Sequence, residues 1–382
     1  MDFRHTEDQL AWKDTLHRFM EKEVGREYTR EHDQDREFPD ELYRKCADNG
    51  WLGLLVPEEL GGVAADPVMY AIFCEAIAKY SLDTAACLMT SMFTISNVVY
   101  HGTQEQKDEH IPAFLKGERR FSISISEPQA GSDAANVSTK AVHDGRDWVL
   151  NGNKTWCSGA HLPGAWIVML ARTGPERHAG LSTFLMPNTA EGLDIRKMPT
   201  MVRRSLGTTE IFLTDVRVPD SNVIGEIGKG WEYIGEHLDY ERLGLAASYV
   251  GNARTALDDT IAYTKDRIAF GRPLSSLQVL KHRMAEDETA LTAARLLVYN
   301  AATKMLRGEK ASKEVSMAKV FAAETFFRIA TNGMQAYGGY AQLPEYDMER
   351  YFREAKHGMV GGGANEIQKT VIARHMGLSD PR

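Results

Sequence analysis

The chain has 382 residues, 43% hydrophobic and 26% charged, the composition of a globular protein long enough to divide into two or three packed units. A formal net charge of −8, with no basic block of five or six residues, argues against nucleic-acid binding. Cys46, Cys74, Cys87 and Cys157 form no CxxC pair and no metal-ligand spacing with histidine, so no metal is expected; the usage fits a reducing cytoplasm, with the thiols as small buried hydrophobes.

Met1 to Asp8 is too acidic for a transit peptide and lacks a signal-peptide apolar core. No stretch approaches ~18 uninterrupted apolar residues, so a cytoplasmic chain without a membrane span is expected. Residues 1–118 read as helical. Thr6-Glu7-Asp8-Gln9 is a capping start, and Phe38-Pro39 begins a helix that ends near Gly50. Pro57 to Gly62 reads as a turn, and the apolar run Val68 to Tyr80 suits a buried helix. Character changes after Gly117. Trp148-Val149-Leu150, Asn151-Gly152 and Lys154-Thr155-Trp156 predict a hairpin, because Asn-Gly suits the positive φ angles of a tight turn. Runs at 165–171, 181–186 and 209–216 continue as strands, so residues 119–226 are expected to form a compact β domain. Helical spacing returns after Gly228, with Trp231, Ile234, Leu238, Leu245 and Tyr249 on one face. Further helices follow Pro273 and Ser312, Gly338-Gly339 breaks the pattern, and a last short helix follows Gly363.

Four segments carry chemistry. Ser126-Glu127-Pro128-Gln129-Ala130-Gly131-Ser132-Asp133 offers hydroxyls and backbone N–H groups with little side-chain bulk, which suits an anionic or amide-rich ligand; alone it is equally a polar loop. In Lys154-Thr155-Trp156-Cys157-Ser158 the tryptophan read alone is a β-core residue. Glu241 stands three residues after Leu238 and four before Leu245, on an apolar helix face where desolvation would make a carboxylate a better base. Spacing alone equally allows a glutamate at the stripe's edge, or one paired with Arg242. The fourth segment is Val360-Gly361-Gly362-Gly363-Ala364-Asn365-Glu366-Ile367-Gln368.

Taken together and in this order, these segments resemble the acyl-CoA dehydrogenase family, over roughly residues 3–377. The resemblance implies an α+β fold: an N-terminal helical domain (1–118), a middle β-barrel-like domain (119–226) and a C-terminal four-helix bundle (227–382). It implies FAD, with Ile123, Ile125 and Ser126 lining the ring and Ser132 reaching the pyrophosphate and substrate. Trp156 and Ser158 would cover the isoalloxazine and hydrogen-bond its N5 edge, excluding water from the reduced ring. The segment Arg267 to Leu274, including Phe270, with Gln278 resembles one that reaches a neighbouring subunit's FAD, where arginine can bridge phosphate oxygens. Gln335, Gly338 and Gly339 resemble the loop that approaches the adenosine. A homotetramer is implied.

In most members the catalytic base is a glutamate just before the glycine that here is Gly363, and Gly362 stands in its place. Isovaleryl- and long-chain-type members carry the base in a segment that looks like Asp-Leu-Glu-Arg. The resemblance therefore assigns the base to Glu241, with Asp239, Arg242, Gly361 and Gly362 against the substrate. Glu241 would remove the α proton of an acyl-CoA thioester while hydride passes from Cβ to flavin N5. A ribityl hydroxyl and the Gly362 N–H would stabilise the enolate oxygen, and electrons would pass to an electron-transferring flavoprotein. Ala364 replaces a frequent threonine, residues 201–205 depart from the usual Gly-x-Arg-Gly-Ser, and Gly361 stands where straight-chain enzymes often have tyrosine, which implies a wider pocket. The Gly-Gly-small-Asn-Glu-Ile pattern also resembles the crotonobetainyl-CoA reductase branch, so enoyl-CoA reduction is the alternative. A flavin-binding interaction protein without catalysis, as among alkylation-response relatives, would be expected to carry a long basic C-terminal extension, whereas the sequence runs to Arg382.

Overall fold

The first helix, α1 (Glu7–Phe19), opens on the capping box read from the sequence: Thr6 Oγ1 accepts from the Gln9 N–H, and the Gln9 side chain accepts from the Thr6 N–H. A π-helical turn leads to α2 (Gly25–Asp35), followed by α3 (Asp40–Asp48), α4 (Pro67–Ile77), α5 (Leu82–Thr94), α6 (Ser96–His101) and α7 (Gln104–Leu115). Eight strands follow: β1 (Arg120–Ser124), β2 (Lys140–His143), β3 (Asp147–Ser158), β4 (Ala165–Arg172), β5 (Leu181–Pro187), β6 (Leu193–Lys197), β7 (Thr208–Pro219) and β8 (Val223–Ile224). The chain then forms α8 (Gly230–Asp266), the two-residue strands β9 (Ile268–Ala269) and β10 (Arg272–Pro273), α9 (Gln278–Leu306), α10 (Ser312–Tyr337), α11 (Met348–Gly358) and α12 (Asn365–His375). This computed structural model describes residues 4–378; Met1–Phe3 and Ser379–Arg382, on which the readings of the termini partly rest, lie outside them.

The chain divides into two compact units, one made of residues 35–65 and 86–238, the other of 1–34, 66–85 and 239–382. The first holds the sheet, in the order β6-β7-β3-β2-β4-β5-β8, with β1 parallel to β4. Strands β4 and β5 are buried almost throughout, which is why they read as continuous apolar runs rather than alternating ones. Leu150, Ile167, Met169, Phe184, Met186 and Ile211 form the centre of this core.

The expected hairpin at Asn151-Gly152 is not there. Strand β3 runs unbroken and pairs with β7 from Asp147↔Pro219 to Ser158↔Thr208, with a register shift at this dipeptide. The Asn151 side chain exchanges two 2.9 Å hydrogen bonds with Asp215 across the bulge. A Cβ on Gly152 would lie 2.7 Å from Thr139 Cα, so the glycine serves close backbone approach rather than a turn. The turn into β3 lies at Gly145, whose φ is +94°.

In the second unit α10 packs against α9, α11 and α12. Helix α11 is absent from the sequence reading because its buried face is ionic: Arg350, Arg353 and Glu354 are buried with Met348 and Tyr351. Close approach of α8 to α4 explains Gly251, where a Cβ would overlap the Glu75 carbonyl. Among the described residues one helical run, Leu82–His101, has the length and apolar content of a membrane span; 89% of it is buried, as in a core helix. All four cysteines are buried thiols, and burial pushes Cys157 up to about 12.

Candidate active site

In the sheet-bearing unit, three hydrogen bonds stitch the end of β3 to the chain leaving β1. The Thr155 N–H donates to the Ser126 carbonyl (3.0 Å), Lys154 Nζ to that of Ile125 (3.0 Å) and Cys157 Sγ to that of Ile123 (3.3 Å). Ile123, Ile125, Ser126, Trp156 and Ser158 are thereby brought together, as the sequence reading grouped them. A second register shift, between Lys154 and Cys157, places Trp156 at φ +62° and leaves its indole 59% exposed. A bulge re-aims a side chain that regular alternation would direct elsewhere. An exposed aromatic face held beside a loop of small and hydroxyl residues fits a flat heteroaromatic ring such as the isoalloxazine of FAD. Ser132 lies exposed further along the same loop.

Beneath this loop sits an ion pair that sequence reasoning missed. Lys154 Nζ donates to Glu127 Oε1 at 2.9 Å, and both side chains are sealed from solvent. Glu127 also accepts from the N–H groups of Ser138 (2.6 Å) and Thr139 (2.8 Å), and from Gln129 Nε2 (2.6 Å). Burial alone would raise this carboxyl; the Lys154 ammonium and these donors override it and hold it down at about 2. No sequence signal marks it, because Lys154 stands among the polar residues Asn151, Asn153 and Thr155 of β3.

In the other unit, the 360–368 segment folds against α8. Gly362 has φ +64°, and a Cβ there would lie 3.7 Å from Glu241 Oε1 and within overlap distance of Leu245 Cδ1. The half-buried carboxylate of Glu241 thus stands beside the place from which a side chain at 362 would project. The Gly361 N–H donates to the His357 carbonyl and the Asn365 N–H to that of Met359. A Cβ on Gly361 would meet His357 Nε2 at 2.6 Å, so the imidazole already fills space that a wider pocket was expected to leave open. Arg242 is held 3.9 Å from Asp239, whose other carboxylate oxygen accepts from Ser312 Oγ at 2.5 Å. Burial lowers the Arg242 pKa, against the opposing fields of Glu241 and Asp239.

Lys319 of α10, also unnoticed in the sequence, is fully buried; its Nζ donates to the Gly363 carbonyl (2.9 Å) and to Asn365 Oδ1 (3.1 Å). Elsewhere in this unit, Phe270 and Gly271 form the tip of the β9–β10 hairpin, both at positive φ, with Phe270 92% exposed. The Arg267 guanidinium lies 5.4 Å from the centre of the Tyr340 ring, which brings it to the Gly338-Gly339 segment. Gln278 and Gln335 are exposed.

Family models match all three parts of the chain: acyl-CoA dehydrogenase N-terminal domain over residues 6–118, middle domain over 122–216 and C-terminal domain over 228–377. A 3-(aryl)acrylate reductase of Clostridium sporogenes is 37% identical, covering 91% of this chain and 92% of the relative. The caffeyl-CoA reductase-Etf complex subunit CarC of Acetobacterium woodii is 34% identical, over 93% and 94%. The structure of butyryl-CoA dehydrogenase from Megasphaera elsdenii superposes with a TM-score of 0.92 at 29% identity, over 98% and 100%.

Proposed function

The chain belongs to the acyl-CoA dehydrogenase family of FAD-dependent oxidoreductases, and from that premise we propose that it exchanges a proton and a hydride with the Cα–Cβ bond of an acyl-CoA thioester, with Glu241 as the base. The observation that carries this is the 3.7 Å between Glu241 Oε1 and the Cβ position of Gly362. A carboxylate is offered from α8 beside the position that in most family members bears the base. In the dehydrogenating direction Glu241 takes the proton from Cα as hydride leaves Cβ, giving the trans-2-enoyl-CoA. The Gly362 N–H donates to the thioester oxygen, where enolate charge develops. Bound FAD supplies the two-electron acceptor. Ile123, Ile125, Ser126, Ser132, Trp156 and Ser158 hold it, and Asp239, Arg242 and Gly361 contact the substrate. Electrons then pass to an electron-transferring flavoprotein, a partner supported by the relative named as part of an Etf complex. Exposed Arg267, Phe270 and Gln278 with Gln335, Gly338 and Gly339 complete the site of a neighbouring copy in a cytoplasmic homotetramer.

Glu241→Gln keeps size and hydrogen bonding but removes the proton acceptor. Anaerobic flavin bleaching by a panel of acyl-CoA thioesters should slow by several orders of magnitude, while acyl-CoA binding persists. Bleaching at the wild-type rate would remove the assignment and turn attention to Glu366, exposed in the first turn of α12.

A second reading runs the same atoms in reverse, with protonated Glu241 delivering its proton to Cα of an enoyl-CoA. It is favoured by relatives named for reduction of 3-(aryl)acrylate and of caffeyl-CoA. Comparing flavin reduction by saturated thioesters with reoxidation of the reduced enzyme by enoyl and aryl-propenoyl thioesters decides the direction.

A further inference from the structure

Lys319 has no part in the chemistry above, yet its surroundings are unusual for a lysine. It lies about two turns into α10, flanked by Ala318 and Val320, with its side chain wholly out of solvent. A buried ammonium is costly unless it is hydrogen-bonded and its charge is answered. The 360–368 segment meets the first condition, and Glu241 and Glu366 meet the second in part. Its Nζ donates to the carbonyl of Gly363 and to Oδ1 of Asn365, one on each side of Ala364. The Asn365 amide is held in turn by Glu324 Oε1 at 3.3 Å, and Gln368 Nε2 reaches the Gly362 and Gly363 carbonyls at 3.4 Å. The charged groups acting on Lys319 are Glu241 and Arg242 of α8 and Glu366 of α12. Burial and then Arg242 bring its pKa down to about 8, while Glu241 and Glu366 act to keep the proton on.

Gly362 and Gly363 both sit at positive φ, +64° and +83°, and carry no side chains; within their segment the Gln368 amide reaches their carbonyls at 3.4 Å. Glycines there permit the conformation but do not select it. Selection comes from their neighbours, Gln368 within the segment and Lys319 outside it. Lys319 grips the carbonyl next to Gly362, the residue whose N–H is the donor for the thioester oxygen.

We propose that Lys319 is a positioning residue: its buried ammonium fixes the 362–365 segment against α8, so that the Gly362 N–H and the Glu241 carboxylate keep one geometry, and its charge keeps Glu241 ready to accept a proton. This deepens the Glu241 reading and rests on it. Two effects follow. Loss of the contacts misplaces the oxygen donor and lowers kcat with little change in KM, because a shift of about 1 Å in a positioned group can cost roughly 100-fold. Loss of the charge removes a cation from the neighbourhood of Glu241, so that carboxylate should protonate at higher pH, by about one unit.

The test uses FAD-loaded enzyme and a 3-thia-acyl-CoA, which can lose its α proton but has sulfur in place of the carbon that gives hydride. Deprotonation against oxidised flavin yields a long-wavelength band, and titrating the band with pH reads the base without turnover. In Lys319→Met the band midpoint should move up by about one unit and kcat should fall about 10- to 100-fold. Lys319→Arg, which keeps the charge, should restore the wild-type midpoint. Asn365→Ala, which removes one anchor and no charge, should lower kcat several-fold and leave the midpoint unmoved; it keeps the proposal testable if the methionine variant does not fold. A methionine variant with wild-type kcat and midpoint overturns the proposal, as does an alanine variant with wild-type kcat. A wild-type enzyme that gives no band with any thia-acyl-CoA overturns the Glu241 reading itself, and this inference with it.

Discussion

At position 362 a side chain is missing, and the Glu241 carboxylate of α8 stands 3.7 Å from where its Cβ would lie. Glycine there has two physical reasons: the left-handed backbone, and Leu245 Cδ1 where a Cβ would be. A side chain in that conformation costs roughly 1–2 kcal/mol before any clash. Moving the proposed base to position 362, with Glu241→Gln and Gly362→Glu together, therefore meets a steric obstacle. We expect the double variant to melt several degrees below wild type and to recover activity only when Leu245→Ala is added; equal recovery without that third change would refute the steric account. Glu241 and the missing side chain at 362 were both legible in the sequence, because each belongs to a recognisable segment. Leu245 and His357 were not legible as occupants of the space beside the glycines, because which neighbour faces Gly361 or Gly362 depends on backbone angles that residue type does not fix.

At the scale of elements, β3 carries both the largest misreading and a hidden support. Asn-Gly is a strong local turn signal, but pairing with β7 along twelve residues outweighs it, and the glycine is absorbed as a bulge. The same strand presents Lys154 to Glu127, 27 residues earlier, a pairing no local pattern announces. That pair ties the Ser126 loop to the strand bearing Trp156. Lys154→Met would leave a buried carboxylate without its cation, a loss of about 3–5 kcal/mol. We expect such a variant to shed FAD on gel filtration and to melt well below wild type. Adding Glu127→Gln removes the stranded charge while keeping an acceptor for Ser138 and Thr139, so the double variant should melt above Lys154→Met alone. Should the two melt together, the burial cost of Glu127 is not the governing quantity.

Across the whole molecule, buried charge decides which distant stretches of chain belong to one unit. Arg26 grips Asp259 through both terminal guanidinium nitrogens at 2.7 Å, Arg353 reaches Asp33 at 2.8 Å, and Arg30 pairs with Asp347 at 2.7 Å. Glu354 accepts from Ser81 Oγ (2.6 Å) and the Leu82 N–H (2.7 Å), closing the N-terminal turn of α5. Residues 1–34, 66–85 and 239–382 are thus joined by groups that composition counts as surface, which is why the helical periodicity located most of their helices but not α11. Burial raises the Glu354 carboxyl to about 7 from 4.5, despite the pull of Arg350. Between those values the folded chain holds a proton that the unfolded chain has released, so stability falls as pH rises through the window and levels off above it. The shift corresponds to roughly 3 kcal/mol at most. Glu127 has the opposite sign: with its carboxyl held at about 2, its contribution is complete above 4.5 and is lost only as pH falls toward 2. Thermal melts from pH 5 to 8 should therefore show wild type losing ground steadily to Glu354→Gln up to about pH 7, while its offset from Glu127→Gln stays constant. A constant offset from Glu354→Gln as well would mean that Glu354 is ionised throughout and that the cap on α5 is held by charge rather than by a neutral acid.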